Sequence, residues 1–552
     1  MLASPPARAS EPWIDSLGAI AIQDGGRVMP LDTYARRLAV QLTGRQHWSK
    51  DRGPEAFAGR EPMQLLCDLM FKGRDVLQQQ LIAIENKPFK RAMDLDPERR
   101  FFSAAEVSSC KGINGLLAAF SAARESNHDV QATKDQRRAL DLAAAANRIA
   151  ALVTGEPLAI VPAGPDRAFL RVGVDGGDPG TEKVREAFGA FAKAYAAGAP
   201  LESPATQLRA AIDATGRLEP AAAKAVGLEL FYNRHDPWRQ TEILYALAIV
   251  LFGVSRLVLR RPLMILAIVA AVAGVAEHIL GIGLRVAILG RAPVSNTYES
   301  LLWMGLIAMA IGFVAQLMNR KGYYLFGGLV AAFISVIFAA MVPLEDRTNS
   351  LPAVLRSNYW LTLHVLTVVA SYGVFTVASV LGHVYLAREV FMRRRGEPAV
   401  EAARLSHPLV VQIYRTIQVG LFLLTAGTIL GGVWAADSWG RFWGWDPKET
   451  WALISIVTYF AVLHARYLHW LEDFGLAASA VLGFVVIVWT FYGVNYVMAS
   501  GLHSYGFGSG GEIWVALWAA AELVFLVVCW AKRVGMRRPA APPQPRPEHS
   551  PA

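Results

Sequence analysis

Residues 434–451 hold five of the chain's fifteen tryptophans: Trp434, Trp439, Trp443, Trp445 and Trp451. Gly440, Gly444, Asp446, Lys448 and Glu449 are interleaved with them. Tryptophan collects where helices meet lipid headgroups, and such a belt accounts for Trp434 and Trp451 at two helix ends. Three more in a short loop suit a flat apolar platform with polar handles, as a large planar ligand with charged edges requires. From the residues alone, belt and platform stand level. The polar members also carry two readings. Asp446 is a helix N-cap, with Pro447 at N1 and Glu449 at N3. The charges equally suit ligand carboxylates or a docking partner, with Lys448 and Arg441 as the cations. Both readings can hold together.

Histidine supplies a second set of candidates. Imidazole is a common metal ligand, and an ionisable group at membrane depth is costly enough to be a functional candidate by default. His364 lies in NYWLTLHVLTVVASYG, His503 in SGLHSYG, His464 in AVLHARYLHW and His383 in VLGHVYL. Taken singly, each is more simply a hydrogen-bonded interfacial or core residue. His278 is a weaker candidate, His469 reads as interfacial, and His47, His128, His235, His407 and His549 carry no argument. The three cysteines, Cys67, Cys110 and Cys529, form no CxxC or CxxCH, so the chain is not itself a c-type cytochrome. A Cys67–Cys110 disulfide is compatible with an external location.

The elements that position these residues follow from hydropathy. With 54% hydrophobic residues and a mean hydropathy of +0.32, the chain is too apolar for an ordinary soluble enzyme of its length. Residues 1–240 are mixed and charged. From residue 243 onward, apolar runs of about 18 residues or more recur, the length that crosses a bilayer. They fall at 242–259, 263–284, 300–318, 323–343, 361–387, 413–434, 451–468, 475–499 and 512–531. An open chain satisfies its backbone in lipid only as helix. The expected fold is therefore an all-α polytopic membrane protein of about nine transmembrane helices, with a mostly helical N-terminal extracytoplasmic domain. Helices are expected over Gln136–Val153 and Ala205–Val226.

Charge sets the orientation. Much of the formal +9 lies at span ends: Arg256, Arg260 and Arg261; Arg320 and Lys321; Arg393, Arg394 and Arg395; Lys532 and Arg533. These clusters act as cytoplasmic anchors, which argues against nucleic acid as the partner. All of them fit one side. Residues 1–240 and the loops 285–299, 344–360, 435–450 and 500–511 then face outward. The domains are 1–240 outside, a first membrane helix at 241–262, a membrane domain at 263–533 and a disordered cytoplasmic tail at 534–552. The opening MLASPPARASEPW has no apolar signal core, so export of 1–240 is expected to depend on an upstream segment or a partner. His364 and His503 now share the outer face with the tryptophan loop. His464 lies about 20 Å deeper at the helical rise.

The run WGRFWGWDPKETWAL resembles the tryptophan-rich WWD signature of the haem-handling family that includes CcsA, CcsBA, CcmC and CcmF. RAPVSNTYESLLW at 291–303 and TFYGVNYVMASGLHSYGFGSG at 490–510 are similar to the CcsA branch. GGRVMPLDT at 25–33 resembles extracytoplasmic segments fused to some CcsA-type proteins. The resemblance implies cytochrome c biogenesis with haem b as cargo. It implies His364 and His503 as outer iron ligands, with Trp434, Trp439, Trp443, Trp445, Asp446 and Trp451 around the porphyrin. It implies an inner station at His464, for which His383 is the best local partner, although the fusion family draws that ligand from its CcsB half. A holocytochrome c synthase would join the two vinyl groups to the thiols of an apocytochrome CxxCH, with catalysis chiefly a matter of positioning. Implied partners are the apocytochrome, a CcsB/ResB-like subunit, a thiol reductant protein and the lipid bilayer, in a bacterial inner membrane with the WWD loop on the periplasmic side. A haem exporter or delivery chaperone without ligase chemistry is the alternative. A quinone-linked cytochrome b fits less well, because it holds both ligands within the membrane.

Overall fold

The computed structural model describes residues 11–537 except 51–52, 128–129, 131, 166, 174–176, 320–322, 342–357, 393–398 and 499–511. The chain divides into two compact units, Met1–His235 and Asp236–Ala552. The expected outer loop at 500–511, with His503, lies outside the described residues, as do 538–552 of the expected tail.

The first unit packs helices around a core that includes Ile22, Leu38, Phe57, Leu66, Ile149 and Phe191. Among its described residues it also holds three two-stranded antiparallel ribbons, which the mostly helical expectation did not include. These pair Ala21–Asp24 with Arg27–Pro30, Gln80–Ala83 with Phe101–Ser103, and Ala159–Val161 with Leu170–Arg171. The first turns through Gly25 and Gly26, both at positive φ (58° and 80°), as a two-residue hairpin turn requires. The helix expected over Gln136–Val153 runs Lys134–Val153 and starts from a reciprocal cap between Thr133 and Gln136. Ala205–Val226 is not one helix. It belongs to Glu202–Asp213 and Pro220–His235, parted where Gly216 turns left-handed at φ 63° and Pro220 lacks an N–H. Cys67 and Cys110 are buried and free, so the disulfide is not formed; Cys110 Sγ instead donates to the Met93 carbonyl at 3.4 Å.

The second unit is helical. Its helices are α1 Pro237–Ser255, α2 Arg260–Leu289, α3 Thr297–Asn319, α4 Tyr323–Met341 and α5 Leu366–Ala387. They continue with α6 Ala399–Trp439, α7 Pro447–Tyr467, α8 Asp473–Val488 and α9 Glu512–Arg537. A π-helical segment, Leu361–Val365, leads into α5, and another, Trp489–Met498, continues α8. The expected apolar runs fall on these helices, with ends displaced by several residues. Among the described residues, six helices are long and apolar enough to cross a membrane: α2, α3, α5, α6, α8 and α9, counting the π extensions. The described part of α4 is apolar but shorter, while α1 and α7 carry polar groups such as Glu242 and His464. Burial ranks the six. The α5 window is 72% buried and the α9 window 6%, so α5 is the central post and α9 lies at the periphery. Small residues allow close crossings: a Cβ on Gly328 of α4 would stand 2.7 Å from Gly312 Cα of α3.

Candidate functional site

The tryptophan segment is shorter as a loop than its composition suggested. α6 continues through Ala435 and Ala436 to Trp439, so Trp434 and Trp439 are helical. Gly440 stops the helix with φ 70° and its N–H on the Ala436 carbonyl. The next helix starts as the D-P-K-E order dictates. Asp446 accepts from Lys448 N at 2.9 Å, and Glu449 Oε2 accepts from Asp446 N at 3.2 Å and Gly444 N at 2.7 Å. The capping role of Asp446 is thus realised; its carboxylate is buried.

The five tryptophans separate into three groups. Trp434, Trp439 and Trp443 line a cleft together with Phe442. Trp445 turns outward, 69% exposed, with its backbone in the left-handed region at φ 57° and its ring edge-on to Trp443 at 6.0 Å. Trp451 packs on Trp489 at 5.7 Å and is not among the lining residues. The cleft encloses about 1270 Å³ of space not filled by protein atoms, part of it open to the surroundings.

His364 lines the same cleft from the π segment before α5. Segments of this kind are rare and collect at functional sites. Its Nδ1 lies 2.7 Å from the Gly427 carbonyl of α6. A carbonyl can only accept, so Nδ1 carries the hydrogen and Nε2 holds the lone pair. That tautomer, fixed by a backbone carbonyl, is the usual arrangement behind a metal-ligating imidazole. The ring also sits edge-on to Trp434 at 5.8 Å. Gly431 admits it, and Gly427, one helical turn earlier, makes room for Val368. A Cβ on Gly431 would stand 2.5 Å from His364 Cε1, and one on Gly427 would stand 2.6 Å from Val368 Cγ1's partner methyl, Cγ2.

Polar groups complete the lining. Lys448 donates from Nζ to Asn495 Oδ1 at 2.8 Å, and both residues, with Glu449, face the cleft. Ser295, Asn296 and Thr297, at the start of α3, form another wall. The Tyr496 hydroxyl donates to Thr297 Oγ1 at 2.9 Å, so the π extension of α8 ties this wall to the Lys448 side. The indole N–H of Trp434 is buried with no acceptor among the described residues.

The remaining histidines lie elsewhere. His464 is exposed near the end of α7, with Nδ1 on the Phe460 carbonyl at 2.8 Å. His383 commits both nitrogens, to the Ser379 carbonyl at 2.9 Å and Glu522 of α9 at 2.8 Å. His278 is fully buried between the Tyr245 hydroxyl and the Leu302 carbonyl, which makes it a core residue. No cluster of three or more His, Cys, Asp or Glu suited to a metal ion occurs among the described residues. Sequence reasoning missed Gly427 and Gly431, whose i, i+4 spacing in GTILGG was the available signal, and Asn495, which carried none.

The chain is similar to known proteins over its membrane domain. A family model described as cytochrome C assembly protein matches residues 294–503. The chain is 38% identical over 246 residues to Protein NrfI of Wolinella succinogenes, which covers 42% of this chain and 25% of that protein. It is 36% identical over 239 residues to the cytochrome c biogenesis protein CcsA of Guillardia theta, 39% of this chain and 77% of that one. A CcsA of Prochlorococcus marinus is 33% identical over 249 residues, covering 39% and 76%. The chain therefore spans a quarter of NrfI but about three quarters of these CcsA proteins.

Proposed function

The chain belongs to the CcsA family of cytochrome c biogenesis proteins, and from that premise we propose that its aromatic cleft takes haem b as cargo and presents it for attachment to apocytochrome c. The observation that carries this reading is His364: its Nδ1 is tied to the Gly427 carbonyl, and its Nε2 lone pair belongs to a ring lining an aromatic cleft. The other residues fit the same ligand. Trp434, Trp439 and Trp443 offer apolar faces to a porphyrin, Lys448 offers an ammonium to a propionate, and the buried Trp434 N–H lacks an acceptor among the described residues. His503 is assigned as the second outer iron ligand from its place in LHSYG, five residues beyond the end of the π extension of α8.

In the synthase reading, each thiol of a CxxCH adds across one vinyl group. Sulfur and hydrogen are both incorporated, so the addition needs no oxidant and has no leaving group. The thiols must arrive reduced, which calls for a thiol reductant protein as partner. The chain's part is to hold the ring plane and present the vinyl carbons, leaving the acceptor's own histidine to displace one axial ligand.

An inner station at His464 completes the route. His464 is exposed on α7 beside Phe460 and Val457. His383 is engaged by Glu522 and Ser379, so we place the second inner ligand on a CcsB/ResB-like subunit. We carry the topology over from the sequence as part of the proposal: about nine crossings of a bacterial inner membrane, with the first unit and the tryptophan segment on the periplasmic side. The test is full-length protein purified with its haem, in wild-type form and as His364→Ala and His503→Ala. Each variant is expected to lose the outer low-spin signal and cytochrome c maturation; unchanged haem content in both refutes the assignment. Covalent cytochrome c formed in a host lacking its own system supports a synthase, and holoprotein dependent on an added ligase supports a delivery chaperone.

A further inference from the structure

The π segment carrying His364 lacks the regular bonding of an α-helix, so its position must be supported from outside. Part of that support is the Gly427 carbonyl of α6, and part comes from residues 292–303. Val294 and Ala292 form a buried apolar cluster against Val365, Leu366 and Trp303. The Trp303 indole N–H donates to the Leu366 carbonyl at 3.2 Å, two residues past His364.

The supporting segment is itself locked by a buried ion pair. Arg285, near the end of α2, meets Glu299, in the first turn of α3, at 2.7 Å, with side-chain exposures of 3% and 1%. Glu299 Oε1 receives the guanidinium from both Nε and Nη2. Its other oxygen accepts from Ser295 N at 2.9 Å and Ser295 Oγ at 2.6 Å. One carboxylate therefore ties α2 to Ser295, two residues before α3 begins and next to Val294. A buried ion pair is a poor device for stability, because desolvation offsets its attraction, and an apolar pair of similar volume often serves as well. Its use here is better explained by the direction it imposes on the 294–297 turn.

We propose that Arg285, Glu299 and Trp303 are positioning residues for His364, holding residues 292–303 against the π segment so that the imidazole keeps its place in the cleft; this rests on the haem reading above. None of the three needs to touch the cargo. They act through Ser295 and Val294 on Val365, and through Leu366.

The test separates position from folding. Arg285→Met combined with Glu299→Leu removes both charges together, so no orphan charge is left buried, while the hold on Ser295 is lost. In full-length detergent-purified protein we expect the thermal midpoint to stay near wild type while haem affinity falls about tenfold or more, the usual loss when support behind a metal ligand is removed. The bound haem should shift from a six-coordinate low-spin to a high-spin spectrum, and added imidazole should restore the low-spin form. Trp303→Phe keeps the ring, removes the donor and should shift the spectrum the same way by a smaller amount. This variant decides the matter if the double variant does not fold. A wild-type spectrum and affinity in the double variant or, where that variant fails to fold, in Trp303→Phe overturns the inference if His364→Ala has lost its signal. An unaltered His364→Ala spectrum overturns the ligand reading and this inference with it.

Discussion

Replacing Gly431 with alanine tests the geometry of the cleft with one methyl group. The added Cβ would lie 2.5 Å from His364 Cε1, 2.8 Å from Nδ1 and 3.2 Å from Nε2. Carbon atoms pack at about 3.5 Å or more, so the imidazole must retreat by roughly 1 Å. It has little freedom to do so, because Nδ1 is held 2.7 Å from the Gly427 carbonyl, one turn earlier on the same helix. The net stability loss should be about 0–2 kcal/mol: overpacking costs about 1–3 kcal/mol, while alanine gains about 1 kcal/mol over glycine inside a helix. Haem affinity should fall by about 10–100-fold, the loss expected when the hydrogen bond that orients a metal-ligating imidazole is disrupted. The assay is haem titration of full-length protein, read with its absorption spectrum and thermal midpoint. Gly283→Ala is the control, since nothing lies within 4 Å of its Cβ. Wild-type affinity and spectrum in Gly431→Ala would show that His364 does not bind iron in this position, and the reasoning would fail.

Other predictions address separate parts of the chain. Lys448→Met should lower affinity for haem by about tenfold, the worth of a charge-assisted hydrogen bond of about 1.5 kcal/mol, yet leave affinity for haem dimethyl ester unchanged; equal losses for both ligands would count against a propionate contact. Cys67 and Cys110 are buried and free, and burial pushes the Cys67 thiol up, so alkylation should label neither in folded protein and both after unfolding without reductant. Failure to label them unfolded would indicate a disulfide. In the first unit, hydrogen bonds from Arg217, then Thr181 and Gly180, hold the Asp178 carboxyl below its usual range, where it caps helix Pro179–Ala196. A depressed folded pKa contributes stability that is complete above the unfolded value near 3.8 and is lost as pH falls through the folded one. Hydrogen exchange at Gly180 and Thr181 should therefore accelerate in acid beyond its intrinsic trend, and Asp178→Asn should remove that pH dependence.

The features legible in the sequence are those governed by local or summed properties. Transfer energy adds residue by residue, so apolar runs mark helices such as α2, α3 and α8 without any partner. A cap involves neighbours within one turn, so Asp446, Pro447 and Glu449 announced the start of α7, and Thr133 that of Lys134–Val153. The same locality explains an error: alanine-rich 205–226 reads as one helix until Gly216 and Pro220 are given their backbone cost. The density of tryptophan at 434–451 was visible in composition, which left a membrane belt and a ligand platform level.

Tertiary packing decided the rest. Trp443 and Trp445 are two residues apart, yet one lines the cleft and the other faces outward, because the left-handed turn at Trp445 redirects it. The identity of the protonated nitrogen on His364 depends on a carbonyl 63 residues away, and the space for its ring depends on a glycine on another helix. His383 resembled a ligand until Glu522, 139 residues distant, occupied its second nitrogen. Hydrogen bonds and steric contacts act over a few ångströms in space, without regard to separation along the chain. For that reason the sequence by itself determined what kinds of groups this protein brings to the membrane, and only the tertiary structure decided which of them meet.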